Sequence, residues 1–240
     1  MARLLSWPLG LRPNFREPLS GPRTINAGAS TSIGNFTQSF GSPFGLWRWR
    51  FQFPPIRGGL FRRYRGWVTA LHGGANATRV QWCEWDQMSF AERGMVTDSA
   101  EWRAGQPWSN GQPWGNGRNW DMSNPNVAVA APSALGSSEI QLGAAYWGHN
   151  LDMGDMLGFM PFHLGWYMVT ERIEAGRYRI WPPLRKALTP ADFATLNPVA
   201  AMRLEGEEGA NAPREAAFAT GLSITLVEVF DYDVRDYFAG

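Results

Sequence analysis

An alternating aromatic segment near residue 50 constrains the fold more than any other part of the chain. Aromatic side chains occupy every second position from Trp47 to Phe53, and arginine and glutamine fill the positions between them. A period of two places alternate side chains on opposite faces of an extended chain, so this pattern predicts a strand with one buried face. Pro54 and Pro55 follow directly and predict its end, because proline has no N–H for a strand ladder.

The period of the apolar positions changes after this strand. Over residues 60–72 it becomes helical, with the arginines of the segment facing elsewhere. The apolar members are Leu60 or Phe61, Tyr64, Trp67, Val68 and Leu71. Gly73 follows the last of them, where a left-handed cap would end a helix. Alternation resumes over residues 78–82 with Val80 and Trp82 on one side, so we predict a short amphipathic helix between two strands.

Further short strands are predicted along the rest of the chain, separated by glycine and proline. They fall at residues 127–130, 140–144, 156–159, 166–170, 178–181 and 222–230. Strands of this length and spacing favour a mainly β fold, a β-barrel or β-sandwich, with the helix at about residues 60–72 between strands. A second, weaker helix is predicted over residues 191–196, because Thr189 and Pro190 form an N-cap and first-turn pair ahead of it.

Two segments are predicted to be additions to this β-rich unit. Residues 1–41 are rich in glycine, proline, serine, threonine and asparagine, and they predict an irregular arm that leads into a first strand. Residues 83–126 have few periodic apolar positions and predict a long loop insertion. The predicted organisation is therefore an N-terminal arm with a first strand (1–41) and one β-rich domain (42–240) that carries the insertion.

Charge and cysteine content argue against several functional classes. The formal net charge of +1 gives no field that would attract nucleic acid or a membrane surface. The one cysteine, Cys83, excludes an internal disulfide framework and suits a reducing cytoplasm. No stretch approaches the roughly 20 apolar residues of a membrane helix, and Pro8 and Arg12 interrupt the N-terminus too early for a signal peptide. We expect folding in a cytoplasm, without membrane insertion or specific nucleic-acid binding.

Groups that could perform catalysis are few. Cys83 lies eleven positions after His72 and has Glu84 and Asp86 beside it, the residue types that a thiolate peptidase brings together in space. However, Cys83 continues the strand pattern of Val80 and Trp82, and a buried cysteine commonly acts as a small apolar side chain. Nothing in the sequence indicates the lowered thiol pKa that reactivity requires. We expect no enzymatic activity, no catalytic residue and no cofactor.

A loose H-x-x-D-x-x-D cluster at His149, Asp152 and Asp155 is the nearest approach to a metal site. It has no second histidine at the i+3 or i+4 spacing that metal sites use. Glycine, asparagine and aspartate in this segment are turn formers, so we predict a solvated turn and no metal. The acidic run at residues 205–208 likewise predicts a solvated loop, and no phosphate-binding glycine motif occurs.

A six-residue repeat in the insertion offers a candidate contact surface. G-Q-P-W-S-N at residues 105–110 is followed at once by G-Q-P-W-G-N at residues 111–116. Each copy places an indole, Trp108 or Trp114, between a proline and a turn-forming pair, which holds the ring at low conformational cost. Three roles fit: the rings pin the loop to its own barrel, contact a partner protein, or stack on a sugar of a host glycan.

The order of these segments resembles that of minor tail proteins of siphophages and related prophage elements. Such proteins begin with an aromatic strand that ends in a proline pair, then a short tryptophan-bearing helix and a glycine turn, similar to residues 47–55 and 64–73 here. They continue with a Gly-Asp-hydrophobic strand, an aromatic-valine strand and a Pro-Pro-Leu-Arg segment, similar to residues 153–157, 166–169 and 180–185. The likeness covers residues 40–230 in outline, and the tryptophan-rich segment 100–120 and the N-terminal arm depart from it.

The resemblance implies a structural component of the tail tip. Such a distal tail or baseplate protein forms a ring of its own copies, a trimer or hexamer, between the tail tube protein and hub or fibre proteins. It is assembled in the host cytoplasm and ends in the virion. Arginine is a frequent interface anchor, so we predict subunit contacts at Arg48, Arg50, Arg62 and Arg63. Two alternatives stay open: a carbohydrate-binding module that uses the two repeat tryptophans, and a cell-wall hydrolase built around Cys83 or paired acids.

Overall fold

A computed structural model of the chain contains two six-stranded sheets, a two-stranded ribbon and one α-helix in the part that it describes. The described residues are 3–20, 26–31, 37–41, 45–82, 110, 112, 126–143, 151–161, 163–206, 209–211, 213 and 218–229. The strands are β1 Leu4–Leu5, β2 Phe15–Ser20, β3 Asn26–Thr31, β4 Thr37–Gly41, β5 Arg48–Gln52, β6 Ala77–Gln81, β7 Asn126–Ala128, β8 Glu139–Gln141, β9 Met156–Met160, β10 His163–Glu174, β11 Arg177–Trp181, β12 Phe193–Thr195, β13 Val199–Leu204 and β14 Ser223–Glu228; the helix is α1 Gly58–Leu71. The predicted fold class, mainly β with a short helix between strands, is confirmed.

The first sheet has the strand order β1-β6-β13-β14-β5-β2 and is antiparallel except where β1 meets β6. Its inner face carries the alternating aromatic side chains of the segment around β5, as predicted. Those side chains are Trp47, Trp49, Phe51 and Phe53, each at most 4% exposed. Helix α1 covers part of the same face and buries Tyr64, Trp67 and Leu71 against it.

Helix α1 ends one residue earlier than the glycine stop predicts. His72 itself adopts the left-handed conformation, with φ of 49°, and its backbone N–H bonds the carbonyl oxygen of Thr69. Gly73 follows with φ of 62° and Gly74 with φ of 94°. The two glycines suit the turn because they have no Cβ to clash in left-handed conformations, so the predicted glycine turn is present but begins at a histidine.

Strands β5 and β6, adjacent in the sequence pattern, are not adjacent in space. Strands β13 and β14 lie between them, which makes the aromatic block part of a sheet completed by the last third of the chain. The sequence patterns did not predict β13. Ala200 and Met202 face the aromatic core while Ala201 is buried on the other side, so the strand has no alternating signal.

The second sheet has the order β7-β12-β9-β10-β11-β8 and curls until its two edges meet. A bridge joins Val129 to Leu142, and hydrogen bonds of 2.8 and 2.9 Å run from Ala130 N to the oxygen of Gln141 and from Gly143 N to that of Ala128. We call this sheet the barrel. A separate apolar cluster fills it, including Leu157, Tyr167, Val169, Ile180 and Leu188.

The prediction of a second helix over residues 191–196 is wrong. Asp192 Oδ2 accepts hydrogen bonds from both the backbone N and the hydroxyl of Thr189, and Asp192 N donates to the Thr189 carbonyl at 2.9 Å. These contacts close a turn. The next residues, Phe193–Thr195, form β12, which pairs with β7 and β9. Pairing on both edges outweighs the weak helix preference of a six-residue segment.

The N-terminal residues contribute more regular structure than the predicted irregular segment. Strands β1 and β2 form the two edges of the first sheet, and Trp7 packs its ring against Phe51 and Trp67 with centroid distances of 5.5 and 4.8 Å. The division at residue 41 stays a prediction. The insertion 83–126 lies outside the described residues except for Asn110, Gln112 and Asn126.

Candidate functional site: a long hairpin and its anchor

The ribbon of β3 and β4 lies between β2 and β5 along the chain, and both pairs of strands are antiparallel. Phe15 pairs with Gln52 and Asn26 pairs with Gly41. Asn26 is eleven residues after Phe15 (15 to 26), and Gly41 is eleven residues before Gln52 (52 to 41). These two pairs share one register, but each stretch also contains a one-residue shift, between Pro18 and Ser20 and between Asn26 and Gly28. Residues 21–25 and 42–44 between the stretches lie outside the described part. We call strands β3 and β4 the arm; from here on the name means these two strands and not the whole of residues 1–41.

The outer backbone edges of the arm are unpaired among the residues that the structure describes. Within the described part of the chain, β3 and β4 pair with each other and with no other strand. A two-stranded hairpin on its own is marginally stable in water, and unpaired edges invite pairing with another chain. Soluble proteins commonly protect such edges with charged side chains. The sequence has no charged residue from Thr24 to Trp47, which spans both strands of the arm.

Residues 45–47, which we call the anchor, fix the chain where it returns from the arm to β5. Arg185 donates from a guanidinium nitrogen to the carbonyl oxygen of Gly45 at 2.6 Å. Trp47 N donates to Glu228 Oε2 at 3.1 Å, and Glu228 N donates to the Trp47 carbonyl at 2.8 Å. The indole N–H of Trp47 donates to the carbonyl of Trp166 at 2.8 Å. The anchor is thus held by the first sheet and by the barrel together.

A buried ion pair between Arg185 and Glu228 contacts the anchor. Arg185, in the segment after β11, approaches Glu228 Oε1 of β14 to 2.8 Å, and the two side chains are 5% and 0% exposed. Burial raises the pKa of Glu228 to about 7, while Arg185 and the backbone N–H groups of Trp47 and Trp166 act in the opposite direction. Loss of the Glu228 carboxylate would leave the guanidinium of Arg185, which cannot be deprotonated, as an uncompensated buried charge, which typically costs about 3–5 kcal/mol.

A second polar chain extends the anchor into the barrel. Arg185 N donates to the hydroxyl of Tyr167 at 3.1 Å, and that hydroxyl lies 2.6 Å from His163 Nε2. The hydroxyl accepts from Arg185 N, and the hydrogen bond between the hydroxyl and Nε2 joins the histidine to the same chain of contacts. Burial, with Lys186 and Arg185 nearby, lowers the pKa of His163 to about 3 against the opposing effect of Asp192. His163 is therefore neutral at physiological pH.

The four arginines predicted to contact other subunits lie on two surfaces. On the outer face of the first sheet, Arg48 forms an ion pair with Glu205, and Arg50 lies 3.4 Å from Glu17. On α1, which covers the inner face, Arg62 is exposed and Arg63 donates to the carbonyl of Leu9 at 3.0 Å. The structure does not bring the two pairs together. Their role in subunit contacts stays a prediction.

Several other candidates lie outside the described residues: Cys83, Trp108, Trp114 and His149. The remaining members of the H-x-x-D-x-x-D cluster build a turn. Asp155 Oδ2 accepts from Asp152 N at 2.7 Å, and Asp152 Oδ1 accepts from Met153 N at 2.8 Å. Across the described ranges, no group of three or more histidine, cysteine, aspartate or glutamate residues is placed to hold a metal. No helix in that same part of the chain is long and apolar enough to cross a membrane.

The patterns used above did not identify Arg185 and Glu228. One signal was present for the glutamate. In β14 and the residue before it, the inward positions run Leu222, Ile224, Leu226 and then Glu228, so a charge occupies the place where a fourth apolar side chain is expected. A buried charge must be paired, which predicts a partner without saying which residue provides it.

No protein-family model matches the chain, and no curated protein matches it in sequence. The resemblance to siphophage tail proteins therefore stays a prediction from the order of its motifs.

Proposed function

We propose that this protein is a structural component of the tail tip of a bacteriophage or phage-like particle. In this proposal it is a distal tail or baseplate protein whose copies form a ring, a trimer or hexamer, between the tail tube protein and hub or fibre proteins. It acts through assembly and not through catalysis, and its place is the virion.

The observation that supports the proposal is the arm, whose outer edges are unpaired among the described residues and whose sequence carries no charge. A strand edge without charges or a covering element is a template for pairing with another chain. Adding a strand from a neighbour satisfies the backbone N–H and C=O groups of such an edge. In a closed ring every copy both gives and receives this contact, so no edge is left to recruit further chains. The arm is thus suited to a symmetric assembly of identical copies.

The surface ion pairs of the first sheet are compatible with such a contact. Arg48 with Glu205 and Arg50 with Glu17 are partly exposed on its outer face. Exposed pairs contribute only about 0–1 kcal/mol each, so their arginines can exchange an internal carboxylate for one on a neighbouring subunit at small cost. In the proposed ring we assign this exchange to Arg48 and Arg50.

The experiment is deletion of the gene from the phage or prophage that encodes it, followed by complementation. We expect particles without the protein to lack completed tails, and the wild-type gene to restore them. A gene in which an Asn-Gly turn replaces residues 26–41 should fail to restore them although its product folds. Normal infectious tails without the protein would refute the proposal.

The same strains separate the alternative of a glycan-binding module. The control variant Trp108→Ala with Trp114→Ala leaves the arm intact, so we expect it to restore complete tails. If this variant assembles normally but no longer binds host glycans on an array, the repeat recognises the host surface. Peptidoglycan cleavage that Cys83→Ala abolishes would instead indicate a hydrolase.

A further inference from the structure

We propose that Arg185 and Glu228 are positioning residues for the arm, and that their ion pair sets the direction in which the arm leaves the body of the protein. The consequence for ring formation rests on the proposed function above. The direction of the arm does not.

The contacts of the pair converge on the root of the arm. Arg185 reaches from the barrel to the carbonyl of Gly45, and Glu228 reaches from the first sheet to the backbone N of Trp47. Arg185 is itself held by its backbone N, which donates to Tyr167 inside the barrel. The barrel and the first sheet therefore both contact the anchor, residues 45–47.

The chemistry of the pair favours a positional role over a stabilising one. Desolvation of two charges consumes most of their attraction, so an apolar pair of similar volume would be as stabilising or more. An apolar pair, however, cannot make a directional hydrogen bond to the backbone of the anchor. The planar guanidinium fixes its nitrogens relative to one another. Here one nitrogen donates to the carbonyl oxygen of Gly45 at 2.6 Å, and another lies 2.8 Å from the Glu228 carboxylate as an ion-pair contact. The backbone at Gly45 is thereby located relative to β14.

Because the arm is long, the position of its far end depends strongly on the backbone at residues 45–47. At the far end of the arm, Thr31 pairs with Thr37. Thr37 is ten residues from Trp47, and ten residues of fully extended chain span about 34 Å. The other root, Ser20, pairs with Arg48 next to the anchor. Both ends of the segment that carries the arm therefore start beside the same few residues, and a small rotation there would displace the tip by a larger distance. Residues 21–25 and 42–44, which connect these ends to the arm, lie outside the described part.

A distance measurement between arm and barrel tests this inference. Spin labels are attached to Ser39→Cys in β4 and Arg172→Cys in β10, in a Cys83→Ser background, and labelled protein is diluted with unlabelled protein so that only distances within one chain are recorded. Three variants perturb the pair: Glu228→Gln, Arg185→Lys, and the double apolar variant Arg185→Met with Glu228→Leu. Arg50→Gln is the matched control, because it breaks the exposed pair with Glu17 beside the anchor.

We expect one narrow distance distribution for the unperturbed protein and for Arg50→Gln. Glu228→Gln and Arg185→Lys should at least double its width or shift its maximum by several ångströms. The double apolar variant should melt at or above the wild-type temperature and still show the broad distribution, which separates lost direction from lost stability. A folded double variant with the narrow wild-type distribution would overturn the inference.

Ring formation by the same samples is a separate readout. If the unperturbed protein forms no ring, the proposed function fails and the distance result still decides the role of the pair. If the ring forms and the variants with a broad distribution form it equally well, the arm does not build the ring, and the pair still positions the arm.

Discussion

The indole N–H of Trp47 donates to the carbonyl oxygen of Trp166 at 2.8 Å, and the two rings meet edge to face with centroids 6.2 Å apart. Trp47 precedes β5 of the first sheet and Trp166 belongs to β10 of the barrel. Trp49 and Trp82 complete the cluster, with ring centroids 6.0 and 5.0 Å from that of Trp166. This contact joins the two sheets, and its replacement gives the first prediction.

Trp47→Phe should lower the free energy of unfolding by about 2–4 kcal/mol. The change leaves the buried Trp166 carbonyl without its donor, which costs about 1–3 kcal/mol, and removes part of a fully packed ring. Chemical denaturation followed by circular dichroism measures the loss. Phe193→Ala is the control, because Phe193 is 44% exposed and its change should stay within about 0.5 kcal/mol. Equal losses in the two variants would contradict the assigned role of Trp47.

Tyr64→Phe should destabilise the protein and flatten its alkaline stability profile. The Tyr64 hydroxyl lies 2.7 Å from the Asn211 carbonyl and 3.1 Å from that of Ser223, and its loss should cost about 1–3 kcal/mol. Burial raises the pKa of Tyr64 above its usual range. The unfolded chain ionises this group near pH 10, so its contribution is present below about pH 10 and is lost as pH rises further. Urea unfolding at pH 9 and pH 11 should show a steeper decline for wild type than for Tyr64→Phe.

His163 should make the protein less stable in mild acid. Its pKa is lowered to about 3, whereas the unfolded chain protonates near pH 6.5. The unfolded state therefore binds one more proton over this range, and stability falls as pH decreases by up to about 1.4 kcal/mol per pH unit. Unfolding of wild type and His163→Gln at pH 7.5, 6 and 5 should give the variant a flatter profile. Parallel profiles would mean that His163 titrates normally.

Glu228 changes the free energy of unfolding with pH in the direction opposite to His163. Because burial raises the pKa of Glu228, the folded state retains a proton that the unfolded chain releases above its ordinary carboxyl pKa. Stability is lost as pH rises from about 4.5 to about 7 through this group. The histidine effect is therefore read from the difference between wild type and variant, since the slope from Glu228 is common to both.

Two glycine substitutions should change stability in opposite directions. Gly74→Ala places a Cβ 2.6 Å from the carbonyl oxygen of Leu204 at a φ of 94°, so we expect a loss of several kcal/mol. Gly66→Ala in α1 meets no atom within 4 Å, and alanine is favoured over glycine in a helix interior by about 1 kcal/mol. Thermal melting should lower the midpoint of the first variant and raise that of the second. A lowered midpoint for Gly66→Ala would show that its helix face is covered.

The elements that could be predicted from the sequence are those with one buried face. Strand β5 and helix α1 each keep a clear period, because only one side of each contacts the core. Strand β13 could not be predicted in the same way, since Ala200, Ala201 and Met202 are buried in succession and the single exposed residue, Arg203, does not establish an alternation. The turn at Thr189 carries a helix start signal, but the segment is too short for that preference to prevail over strand pairing.

The candidate site was less accessible to sequence reasoning. The sequence predicts only an irregular segment leading into a first strand over residues 1–41, and the pairing of β3 with β4 becomes visible only in the structure. Arg185 and Glu228 are forty-three residues apart (185 to 228), and only the fold brings them to 2.8 Å. Sequence period predicts which face of an element is buried. It cannot predict which charged residue of one sheet meets which of another.

The proposed function requires that the arm builds a ring of identical copies. Native mass spectrometry of the purified protein, with electron microscopy of the same sample, measures copy number and symmetry directly. We expect a closed trimer or hexamer for wild type and a folded monomer for the variant in which Asn-Gly replaces residues 26–41. A wild-type protein that stays monomeric at the concentrations used for assembly, or an armless variant that forms the same ring, would contradict the claim.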